Sequence, residues 1–138
     1  MTKKQAYLDK VAANELKGKD IIFIIEVLEE LSQTNDDIKE ILADLNDAGE
    51  NFKINFNVGI HRAFLVIENG NVTTGKTLIE DPVVTIKMDE DDALMLLLGK
   101  TTLMDMYKKQ KLKLEGKVMK VAGLALMLNI AMDELGIL

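Results

Sequence analysis

Phe52-Lys53-Ile54-Asn55-Phe56-Asn57-Val58 is the stretch on which the fold turns, because there the spacing of apolar residues changes from 3.6 to 2. Phe52, Ile54, Phe56 and Val58 fall on one side of a strand and Lys53, Asn55 and Asn57 on the other, which predicts one dry face and one wet face. Everything before it reads as helix. Tyr7, Leu8, Val11, Ala12 and Leu16 recur at helical spacing, with Gly18 as the stop. Asp20 is placed to cap a second helix, whose run Ile21 to Ile25 is apolar all round before Val27, Leu28 and Leu31 narrow it to one face. Thr34 to Asp37 has the form of a capping box ahead of a third helix, with Ile38, Ile41, Leu42 and Leu45 as its stripe and Gly49 as its end.

Downstream of the deciding strand, Gly59 turns the chain into Ala63 to Ile67, which is apolar on both faces. Asn69-Gly70 is a strong hairpin signal, because both turn positions want positive φ, and Val72 to Lys76 is the return strand. Pro82, the only proline, opens a fourth strand over Val83 to Met88. Leu112 and Leu114 alternate with Lys111, Lys113 and Glu115 in a fifth. Between these two strands lie two short helices. Asp89 is placed to cap the first, with Glu90, Asp91 and Asp92 in its first turn where the helix dipole favours acids, and Gly99 ends it. Thr102 caps the second, and Gly116 releases a final helix from Val118 to about Leu135. This order predicts an α+β fold: a five-stranded, mostly antiparallel sheet with helices packed on one face. The 138 residues make one domain, with N-terminal helices over 1–50.

Composition removes several functional classes. Apolar residues at 48% and charged ones at 29% describe a globular chain, and with no cysteine there is neither a disulfide framework nor a thiolate metal site. The N-terminus leads into a charged amphipathic pattern rather than an apolar signal core, and Val118 to Met132 is too short to span a bilayer, so a cytoplasmic protein is expected. A formal charge of −6 argues against a non-specific nucleic-acid or anionic-membrane surface, both of which want clustered Lys and Arg, so no nucleic acid and at most transient membrane contact are expected. The basic cluster Lys108, Lys109, Lys111 and Lys113 lies among acids and reads as a solvated strand edge.

No catalytic constellation emerges, and an enzyme is not expected. His61 stands next to Arg62 with no serine or cysteine placed to use it, and the only serine, Ser32, sits at a helix end. The run Asp89 to Asp92 is explained by capping and dipole, and nothing else in the sequence nominates converging metal ligands. The Gly, Lys and Thr residues of 70–76 and 99–102 lack the spacing of a phosphate loop, so no cofactor is expected. The apolar excess is more informative. Seven of the eight methionines fall between Met88 and Met132, and the last helix is apolar around nearly its whole circumference. Methionine's flexible thioether lets a wall reshape around different apolar surfaces. A second helix, a partner subunit or a ligand must cover that helix's outer side.

The order of pieces from Asp81 to Leu124 resembles the sterol carrier protein 2 (SCP2) family of lipid-binding domains. The residues that carry it are Val84 to Met88, Asp91-Asp92-Ala93-Leu94, Leu97, Gly99-Lys100, Tyr107, Lys111-Leu112-Lys113-Leu114 and Gly116, with the meander from Phe52 to Gly70 upstream. Coverage runs from Asn51 to the end. Gln110 stands where the family often has glycine, and Gly123 where it often has lysine. The resemblance implies helices and sheet enclosing an apolar tunnel, with sterols, phospholipids, fatty acids or their CoA esters, or isoprenoids as ligands. It also implies an alternative, in which the apolar last helix packs on a homodimer twin or an enzyme partner. The expected lipid-binding wall is Phe56 and Phe64 from the sheet, Met95, Leu98, Met106 and Tyr107 from the short helices, and Met119, Leu124 and Met127 from the last helix. A sixteen-carbon chain offers roughly 13 kcal/mol gross at ~0.8 kcal/mol per methylene. An empty ~300 Å³ tunnel would cost about 7 kcal/mol, so a tunnel is expected either to collapse onto its methionines when unliganded or to stay occupied by a co-purified lipid.

Overall fold

The computed structural model describes residues 2–137. Three helices come first: α1 (Lys3–Ala12), α2 (Ile21–Leu31) and α3 (Asp36–Asp47). Then follow β1 (Phe52–Val58), β2 (His61–Glu68), β3 (Asn71–Gly75) and β4 (Val84–Met88). The short helices α4 (Glu90–Leu97) and α5 (Leu103–Lys108) lead to β5 (Lys113–Gly116), and α6 (Val121–Glu134) ends the chain. The strand order is β3-β2-β1-β4-β5, with every pair antiparallel except β1–β4. The expected α+β architecture is what forms.

The alternation of β1 sets the two faces. Phe52, Ile54, Phe56 and Val58 are buried and register with Ile67, Leu65 and Ala63 of β2 and with Val84, Ile86 and Met88 of β4. Helices cover this face, and α2 is pinned to it where Thr74 Oγ1 donates to Glu29 Oε1 at 2.9 Å. The opposite face is not uniformly wet. Asn55 is buried because a strap over 76–83 crosses it: Asn55 Nδ2 donates to the Ile79 carbonyl and its Oδ1 accepts from the Ile79 N–H, both at 2.9 Å. An amide can replace both partners that water would supply, which periodicity alone does not reveal.

Several local expectations are corrected. The first helix ends at Ala12, because Asn14 takes a positive φ of 56°, although Leu16 still reaches the core. Gly18 serves close packing instead of stopping that helix: a Cβ there would stand 2.2 Å from the Glu90 carbonyl oxygen. Asp20 precedes α2 without capping it, and its carboxylate accepts from Lys10 Nζ and the Lys17 N–H, each at 2.9 Å. Asn35, one residue past Thr34, is the true cap of α3, its Oδ1 accepting from the Ile38 N–H. Asp89 precedes α4 with no side-chain cap bond, whereas Thr102 caps α5 as expected. Val118 to Lys120 form a 3-10 turn, so α6 begins at Val121.

Tyr7 ties the N-terminal helix to the rest. Its hydroxyl donates to the Leu97 carbonyl at 2.8 Å, ninety residues away, and its ring meets Phe23 edge-on at 5.8 Å. Burial, helped by the nearby Asp20 charge, pushes the phenol well above its ordinary value.

Candidate apolar ligand site

Two apolar grooves open on either side of the Val118–Met119 turn, where β5 hands the chain to α6. The first, about 260 Å³, is walled by Leu103, Met104 and Tyr107 of α5, Leu112 and Leu114 beside the edge strand, and Val118 to Ala122. The second, about 760 Å³ and more open, lies between Leu45 of α3, Ala48 just beyond it, Phe52, and the turn from Lys117 to Lys120 with Gly123. They share Val118 and Met119, and Met119 is 90% exposed at the lip between them. A large apolar side chain so exposed has little packing to hold it.

The sequence places these walls for simple reasons. Gly99 at φ +74° ends α4 and allows the reversal into α5, whose six residues bury Leu103 and Met106 and leave Met104 and Tyr107 half exposed. Gly123 leaves room above Phe52, since a Cβ there would meet nothing closer than the Phe52 ring at 3.8 Å. Lys120 closes one side, its Nζ 5.2 Å from the Phe52 ring centroid and paired with Glu50. On the outer side of β4 and β5, Lys87 Nζ donates to Glu115 Oε1 at 3.0 Å, and this bond with the Lys87 charge holds the Glu115 carboxyl below the usual range.

The nine expected wall residues separate into groups. Phe56, Met106, Leu124 and Met127 are all at most 2% exposed and belong to one buried cluster, with Leu98 packed partly against it. Tyr107 and Met119 line the 260 Å³ groove. Met95 is turned outward at 37% exposed and contributes to neither groove. Phe64 is on the wrong face: it pairs with Asn55 and Gly75, and its ring occupies the space a Gly75 side chain would need. It therefore cannot share a wall with Phe56. Met104, Leu112, Leu114, Val118 and Ala122, which are not among the nine, line the 260 Å³ groove, and Met104 and Tyr107 share one side of α5 at i, i+3.

The interior beside the grooves is filled. The pocket between α2, α4, α5 and α6, lined by Ile24, Leu97, Leu103 and Met132, measures about 10 Å³, at the threshold for a single water. Polar chemistry is sparse. His61 is partly exposed, its Nε2 2.7 Å from Glu90 Oε1, and among the described residues no cluster of His, Asp and Glu is arranged to hold a metal. No helix among the described residues is long and apolar enough to cross a membrane.

The profile of the SCP-2 sterol transfer family matches residues 25–129, so its match starts in α2, well upstream of Asn51. The chain belongs to this family, whose general activity is lipid binding and transfer. None of the curated proteins matches it. Among solved structures, apo sterol carrier protein 2 from Yarrowia lipolytica is 20% identical, with 79% of this chain covering 89% of that one at a TM-score of 0.56. The UbiJ SCP2 ubiquinone synthesis protein is 14% identical, with coverage of 78% and 87% and a TM-score of 0.58. These likenesses establish the shared fold. The chain also aligns with the sec-alkylsulfatase Pisa1 from Pseudomonas sp. at 20% identity and a TM-score of 0.47, spanning only 14% of that longer protein.

Proposed function

We propose that this protein binds an apolar lipid chain, without chemistry of its own, in the groove between α5, β5 and the start of α6. The observation that carries the reading is the 260 Å³ apolar groove with the 90% exposed Met119 at its lip, in a chain of the SCP-2 family. Movement of Met119 joins this groove to its larger neighbour, which brings the space into the range of ordinary ligand sites. The buried Met106 and Met127 lie in the adjoining core and can repack as a chain pushes inward. Ten buried methylenes give about 8 kcal/mol gross, and a longer chain leaves a surplus over the ordering cost of micromolar binding. The few hydrogen-bonding groups in the groove favour chain length over head-group identity, which fits fatty acids, their esters or isoprenoids better than a ligand demanding a polar cage.

Ala122 supplies the test. It is exposed and lines the groove, so Ala122→Trp fills the space without touching the core. Uptake of a fluorescent fatty acid should weaken about tenfold or more, a loss of roughly 1.4 kcal/mol, while circular dichroism stays that of the parent chain. Unchanged uptake would remove the groove from the reading. Lipid extraction followed by mass spectrometry of fresh protein should return an apolar passenger.

A further inference from the structure

The charge of this molecule is segregated in a way its total conceals. Residues 100–120 hold seven lysines against two acids, whereas the rest of the chain holds ten Lys and Arg against twenty-one acids. A segment of net +5 thus sits on a body of net −11. Within it, Lys113 pairs with Glu115 and Lys120 with Glu50. Lys100, Lys108, Lys109, Lys111 and Lys117 are exposed, and none is among the ion pairs of the described residues. The same segment carries Met104, Tyr107 and Met119, exposed by 42%, 43% and 90%, all three on the rim of one groove.

We propose that the 100–120 segment docks the protein on an anionic lipid bilayer, with the lysines against the head groups and Met104, Tyr107 and Met119 dipping into the interface. Lys108 lies one turn from Met104 on α5 and Lys117 lines the larger groove beside Met119, so cation and apolar side chain neighbour each other as suits a surface that is anionic outside and oily just beneath. Tyrosine, with an apolar ring and a polar tip, suits that boundary. The net −11 of the remaining chain is repelled by the same surface and orients the segment toward it. Met104, Tyr107 and Met119 also line the groove proposed above, so the inference builds on that reading, while its charge dependence rests on the lysines.

The test is flotation with vesicles of phosphatidylcholine alone and of phosphatidylcholine mixed with phosphatidylserine. The protein should float with the mixed vesicles and not with the neutral ones, and should be released at about 1 M salt, where the Debye length is ~3 Å. Each lysine near such a surface is worth roughly fivefold in partitioning, so K108E/K109E/K117E should bind more than tenfold more weakly. Replacing the same three by Gln should give a smaller loss, and Met119→Ser should weaken binding without changing its salt dependence. Lys39→Glu, on α3, should float as the parent does. Equal flotation with both vesicles, flotation with neither, or a triple variant that floats as the parent does would each overturn the proposal. Fatty-acid uptake in vesicle-free buffer reports on the groove alone, so failure of one reading is distinguishable from failure of the other.

Discussion

Single side chains divide into those that hold the interior and those that meet the outside. Methionine does both here. Met106 and Met127 are buried while Met104 and Met119 are exposed, although all four fall in the same apolar third of the chain. Met127→Ala should destabilise by about 2–5 kcal/mol through cavity formation, whereas Met119→Ala should shift stability by less than ~0.5 kcal/mol and weaken lipid uptake. Urea unfolding beside a fatty-acid titration separates the two. Tyr7 sets a second expectation. Tyr7→Phe leaves the Leu97 carbonyl unpaired and should cost about 1–3 kcal/mol at neutral pH. Because the folded phenol titrates above its unfolded value near ~10, its stabilisation is complete below about pH 10 and declines as pH rises further. The gap between parent and Tyr7→Phe in urea should therefore narrow above about pH 10.

Elements differ in how much of themselves their residues disclose. β1 was legible because polar and apolar residues alternate, so its face follows from period alone. β2 was not: Phe64 and Val66 on one side rival Ala63, Leu65 and Ile67 on the other, and only pairing with β1 across the Gly59 turn decides the matter. α5 has too few residues for periodicity to separate Met104 from Met106, and both are apolar. The 3-10 turn at Val118 hid inside an apolar run that continues into α6, and that turn puts Met119 on the lip of the grooves. Thr102 caps α5 as read, whereas Asp20 does not cap α2, because a carboxylate beside a lysine has a stronger partner than a helix N–H, as Asp20 has in Lys10. At this scale the close approach of Gly18 to α4 is testable. Gly18→Ala puts a methyl against the Glu90 backbone and should cost about 1–3 kcal/mol, read from the urea midpoint at constant slope.

The whole molecule is an acidic body with a basic, apolar end, and its filled interior adjoins grooves that remain open. The five strands and the helix layer were accessible from hydrophobic pattern together with the SCP2 resemblance, since both describe the same need to bury one sheet face, whereas the strand order with β4 parallel to β1 was not read from the sequence. The site was accessible only in part. Residue type indicates what can line a lipid site, but which apolar residues remain uncovered depends on how helices and turns meet. One topological fact has a further consequence, for how the chain comes to be folded. β1 pairs with β2, which follows it at once, and with β4, reached only after two more strands and the strap, so Ile54 waits for Val84. A polypeptide emerging from the ribosome can close the hairpins β1–β3 early, yet keeps one edge of its central strand unsatisfied until Met88 has been made. Loop closure of that length must precede its reward, so the last steps of assembly set the pace. A cut between β3 and β4 would separate β1 from one of its two partner strands.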